Sequence, residues 1–176
     1  MPTRFATFKK IRIKKIILIL TLINSLLTYS QDLPTKPANG FSFPLGTKFT
    51  IKMHPTDSTN FNYSIIKFEQ FQEIINTYES DSLFKNTDDK NGTIEFYFCL
   101  GTSGETDEEK EKNMKVILLM KNRTENSFEY NSDIQTEENG EFKKTSNIGT
   151  YSGAKGTEIW PYMIHHIALS EFRIVK

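Results

Sequence analysis

The sequence is short of cysteine, of basic charge and of long apolar runs, and each shortage removes a class of protein. Cys99 is the only cysteine among 176 residues, so no intrachain disulfide can staple the fold and stability must come from a hydrophobic core. Basic and acidic residues balance at 22 each, which leaves no cationic excess for a nucleic-acid surface. No Walker loop, G-x-S-x-G, H-E-x-x-H or C-x-x-C occurs, which counts against the common nucleotide-, ester- and metal-dependent enzymes. The longest apolar stretch, Ile16 to Leu27, would span about 18 Å as a helix, against a hydrocarbon core of roughly 30 Å.

That stretch has the form of a secretory signal. Arg4, Lys9, Lys10, Arg12, Lys14 and Lys15 supply a positive n-region ahead of it, and Thr28 and Ser30 are small residues at −3 and −1 of a cut before Gln31. Residues 1–30 are thus expected to be removed, and the mature chain to be exported, periplasmic or secreted. No cysteine stands at the cut to take a lipid. The leader holds six of the 22 basic residues and none of the acidic ones, so the mature chain carries 16 against 22 and a net charge of −6. Neither nucleic acid nor, once the signal is cleaved, an anionic membrane is expected as its partner.

What the sequence has in quantity is aromatic and β-branched residues, including 14 Phe and 7 Tyr over the full chain. Residues 31–46 contain Pro34, Pro37, Asn39-Gly40 and Pro44 and read as an extended linker that joins the domain near Phe41 and Phe43. Residues 47–176 read as one domain. Its central strand is expected in Met114 to Arg123, where Val116 to Met120 form an unbroken apolar run suited to a strand buried on both faces. Alternation predicts further strands over 47–53 (Phe49, Ile51, Met53 inward), 93–100 (Ile94, Phe96, Phe98 inward), 127–135 (Phe128, Tyr130, Ile134) and 141–148 with Phe142 inward. Residues 158–176 suit one or two closing strands. Phe68, Phe71, Ile74, Ile75 and Tyr78 fall at helical spacings, so a strand through Phe68 followed by a short helix is expected there. Thr106-Asp107-Glu108-Glu109 matches a capping box and predicts a short exposed helix or loop.

Seven or eight short strands separated by turns predict an all-β fold, an antiparallel β-sandwich of which the immunoglobulin-like arrangement is one form, with one or two short helices. The alternative is α+β, if 68–78 and 106–115 both form real helices.

Candidate sites are few. His54, His165 and His166 are the only histidines. Adjacent His165 and His166 point apart in any regular element, so a metal or hydrolytic centre would need His54 or distant carboxylates to converge on them. No cofactor is expected. Cys99, near the end of a core strand, reads as a small buried hydrophobe, the alternative being a nucleophile. Asn62, Asn91 and Asn122 head acceptor triplets for N-glycosylation. Trp160, followed by Pro161, reads either as a core plug or, if exposed beside Tyr151 and Tyr162, as a stacking surface for a glycan or protein segment. The function expected is a non-enzymatic binding or interaction module of the cell envelope, with a secreted hydrolase or metal-dependent enzyme using His54, His165 or His166 as the alternative. Intact-mass spectrometry of the exported protein should give a chain beginning at Gln31; a mass retaining residues 1–30 refutes the signal reading.

Overall fold

In the computed structural model, residues 34–85 and 92–175 are described; the expected leader and most of the polar turn after Lys85 lie outside them. Among the described residues the strands are β1 (Gly40–Pro44), β2 (Thr47–Pro55), β3 (Asn60–Gln70), β4 (Ile75–Asn76), β5 (Thr93–Thr102), β6 (Lys115–Asn122), β7 (Phe128–Gln135), β8 (Lys143–Thr145), β9 (Lys155–Trp160) and β10 (His166–Ile174). One α-helix, α1 (Asp107–Lys112), and a 3-10 turn at Ser80–Phe84 complete them.

The all-β, antiparallel expectation holds. The strands join one sheet in the order β8-β7-β10-β3-β2-β5-β6-β9, with β1 added on β10 and β4 on β5, and the sheet curls into a half-barrel. The two layers expected of a sandwich are the two halves of this single sheet, so the immunoglobulin-like arrangement of two separate sheets is not the one formed. Between the halves, β10 and β3 share only two paired positions, Phe172 opposite Phe61 and Arg173 opposite Asn60. Just before them Glu171 takes a positive φ of 56° at a register shift against β7, a bulge that lets the sheet fold over.

Folding over buries the inner face. Phe43 of β1 stacks on Phe49 of β2 with ring centroids 3.6 Å apart, and Phe49 stacks in turn on Phe96 of β5. Tyr63 ties the layers together: it accepts a hydrogen bond from the Phe41 amide (2.8 Å) and donates one to the Leu169 carbonyl (2.6 Å).

β5 and β6 carry apolar residues on both faces, as the unbroken run predicts. Phe96, Phe98, Val116, Leu118 and Met120 face the inner core, while Tyr97, Cys99, Ile117 and Leu119 face outward into a second cluster with Ile75 and Phe84. Residues 71–85 form a strap that covers this outer side. The expected helix over 68–78 does not form: β3 continues to Gln70, and the strap then uses Phe71 and Ile75 against the sheet while Ile74 and Tyr78 stay exposed. Contact with a flat sheet face outweighs a helical spacing of only a few residues.

The capping box is real, with the Thr106 hydroxyl accepting from Glu109 N (3.2 Å) and the Glu109 carboxylate accepting from Thr106 N (3.2 Å). A single short α-helix does not make the fold α+β. The strand expected over 141–148 shrinks to β8, and Phe142, expected inward, is 43% exposed. β1 lies within the stretch expected as linker, at the point where that linker was expected to join the domain.

Leu118 is fully buried in the inner core. Leu118→Ala should cost about 2–5 kcal/mol of unfolding free energy, whereas Tyr78→Ala at the exposed strap should change it by less than about 0.5. Urea unfolding of the two variants checks both figures.

Candidate functional site

A concavity sits at one end of the half-barrel, where the ends of β2, β3 and β6 meet the turn into β7 and residues 152–153. It is an open cleft of about 810 Å³. Met53, Phe61 and Phe128 give it an apolar wall, with the Phe61 and Phe128 rings packed edge to face at 5.1 Å. Lys121, Asn126 and Ser152 supply polar atoms at its rim.

A buried polar knot shapes the cleft. Asn122 has no exposed surface. Its amide nitrogen donates to the carbonyl of Asn126 (2.9 Å), and its Oδ1 accepts from the backbone of Thr124 (2.8 Å). The Thr124 hydroxyl also reaches Asn122 Oδ1, at 2.7 Å. A buried amide must be satisfied, and here satisfying it fixes the backbone of 122–126 as a rigid lip. Asn122 is therefore inaccessible as a glycosylation acceptor in the folded chain.

Behind the lip, Arg123 turns its guanidinium away to the outer face of the sheet. Glu95, 3% exposed, holds Arg123 Nη1 at 2.9 Å on one carboxylate oxygen and Lys48 Nζ at 3.1 Å on the other. Arg123 also donates to the Phe84 carbonyl of the strap at 3.4 Å. Burial pulls the Lys48 amine down, but its bonds to the Tyr97 hydroxyl and Glu95 outweigh that and hold its pKa above the ordinary value. The cluster is structural in form, since each charge in it is paired.

Ser152 donates its hydroxyl proton to the Thr124 carbonyl (2.7 Å), and no histidine lines the cleft. Of the histidines, His54 Nε2 lies 2.9 Å from the Ser64 hydroxyl, and His166 Nδ1 is buried with no hydrogen-bond partner. Among the described residues no three His, Cys, Asp or Glu side chains gather as a metal site. Cys99 is 1% exposed and burial pushes its thiol pKa up to about 12, far from the thiolate a nucleophile needs.

Trp160 occupies the core-plug position. It is 5% exposed and packed in the inner core, with its indole N–H donating to the Thr145 hydroxyl at 3.3 Å. It is therefore unavailable for stacking, while Tyr151 and Tyr162 remain exposed without it. The sequence pattern does not reveal the cleft, because Met53, Phe61 and Phe128 come from three separate strands. The chain matches no protein-family model, no curated protein and no solved structure, so its geometry stands alone as the guide to function.

A second buried acid lies on β9. Glu158 is 9% exposed and accepts from the Ile148 amide at 2.7 Å. Burial raises its pKa, and the amide bond only partly offsets this. A group whose folded pKa is raised contributes stability below its unfolded pKa and loses it as pH climbs through the folded value. Glu158→Gln keeps an acceptor for Ile148 without the charge. It should therefore melt above wild type at pH 7, with the gap closing near pH 4 in parallel melting curves.

Proposed function

We propose that this chain is an exported, non-enzymatic interaction module of the cell envelope that holds a protein or glycan segment in the end cleft. The observation that carries the reading is the make-up of the cleft: an apolar wall of Met53, Phe61 and Phe128, a rim of amide, hydroxyl, amine and carboxylate groups that includes Lys121, Glu125 and Asn126, and a Ser152 hydroxyl already engaged by the Thr124 carbonyl. Mostly apolar concavities with a few placed polar groups are the usual form of binding sites. The leader-like first thirty residues support the location, and the acidic mature chain argues against nucleic acid as the partner.

The test is an array of envelope glycans and extended peptides probed with residues 31–176. Binding is expected to fall at least tenfold in Phe61→Ala and in Asn126→Ala. Binding that survives both substitutions rejects the cleft. Turnover of a bound glycan or peptide that disappears in His54→Ala or His166→Ala rejects the non-enzymatic reading in favour of a hydrolase.

A further inference from the structure

The sheet order ends at β8 and β9, and the chain between them makes a hairpin whose two arms do not zip. Ala154 N donates to the Tyr151 carbonyl (3.0 Å) and Gly153 takes a φ of 68°, which forms the turn. From such a turn a tight hairpin would pair Thr150 with Lys155 and Thr145 with Trp160. Side chains alone bridge the arms: Trp160 Nε1 to the Thr145 hydroxyl and Glu158 to the Ile148 amide. The arms share no backbone ladder, whose strands would lie about 4.8 Å apart; an indole and a glutamate side chain reach across in its place.

The β6–β9 ladder decides which backbone groups of β9 face the gap. Asn122 N donates to the Ala154 carbonyl, so that pair is hydrogen-bonded, and by alternation so are Met120 with Gly156, Leu118 with Glu158 and Val116 with Trp160. The N–H and C=O groups of Lys155, Thr157 and Ile159 therefore point away from β6, and they have no partner among the described residues. All three residues are exposed. Ile159 and, across the gap, Ile148 are 51% and 55% exposed, which gives the opening apolar walls. On the β8 arm Lys143 and Lys144 are exposed and make no ion pair among the described residues.

We infer that the seam between β8 and β9 accepts an extended acidic peptide strand from a partner protein, which pairs with the outward ladder of β9. Three donors and three acceptors in a row are a template for strand addition, the mode in which main-chain bonds give affinity and alternate side chains give specificity. Apolar residues at alternate positions of the guest cover Ile148 and Ile159, and its carboxylates meet Lys143 and Lys144. A strand between two arms of one hairpin is favoured over a second copy of this chain, whose own lysines would oppose these. The site is separate from the cleft wall of Met53 and Phe61, and it stands whether or not the cleft binds anything.

The test selects displayed random dodecapeptides on residues 31–176 and measures the enriched sequences as synthetic peptides against two variants. Thr157→Pro removes one outward N–H from an edge strand without touching the β6 ladder, so the fold should persist, as circular dichroism would show. Phe61→Ala removes part of the cleft wall and leaves β9 and the β8 arm unchanged, with circular dichroism again confirming the fold. Expected are acidic peptides with alternating apolar residues that bind at least tenfold more weakly to Thr157→Pro and equally well to Phe61→Ala, and that slow amide exchange at Lys155, Thr157 and Ile159. Lys143→Glu with Lys144→Glu should weaken them further and leave the fold intact. The inference is overturned if no peptide is enriched, if binding ignores Thr157→Pro or depends on Phe61, if the enriched peptides are basic, or if light scattering shows the wild-type chain dimerising through β9.

Discussion

Two-sided burial of β5 and β6 is the constraint on which the rest of this structure depends. A strand that is apolar on both faces needs a layer on each side, and a single flat sheet supplies none. The inner layer is made when the sheet curls and brings β1, β7 and β10 over β2, β5 and β6. The outer layer is made by the strap of residues 71–85, which has little regular pairing of its own beyond two positions of β4 with β5. Removing apolar surface from water is worth roughly 25 cal/mol per Å², and that return, not local propensity, makes the strap lie flat.

The Glu95 cluster pins this outer layer. Its carboxylate lies on β5, one of its cations on β2 and the other just past β6, so the three strands under the strap are cross-tied at one point. Arg123 then reaches onward to the Phe84 carbonyl, and Tyr97 donates to the Leu83 carbonyl (3.2 Å) while its ring takes Phe71 and Phe84 edge-on. A buried ion pair is a weak source of net stability, but a partnerless buried carboxylate is expensive, at about 3–5 kcal/mol. The cluster therefore enforces one arrangement of strands and strap more than it strengthens it.

The parts of this architecture legible in the sequence are those set by neighbours along the chain. The runs around Val116, Phe96 and Phe49 appear as strands because alternation or unbroken apolar character survives in a short window, and the capping box at Thr106 is a local motif complete in four residues. The strap was misread because Phe71 and Ile75 satisfy a helical spacing by coincidence, and only the outer face of β5 reveals what they pack against. Phe142 was misread because β8 is too short to carry it inward. The cleft and the open seam are products of curling: the first gathers residues from three strands, and the second exists only because two arms that could pair are held apart from within by Trp160 and Glu158. The sequence left Trp160 open between core plug and stacking surface, because what decides it includes Thr145, fifteen residues away, which accepts its indole N–H.

The pairing of β1 with β10, Gly40 opposite Ser170, joins the two extremities of the described domain. Because Tyr63 also anchors its hydroxyl to Leu169, neither the first strand nor the hinge between the layers can be completed before the last few residues of the chain are present. Assembly thus waits for β10, and the loop that must close, from Gly40 to Ser170, is nearly as long as the domain itself, which makes for slow folding. A domain built this way stays open until β10 has found both β1 and β7.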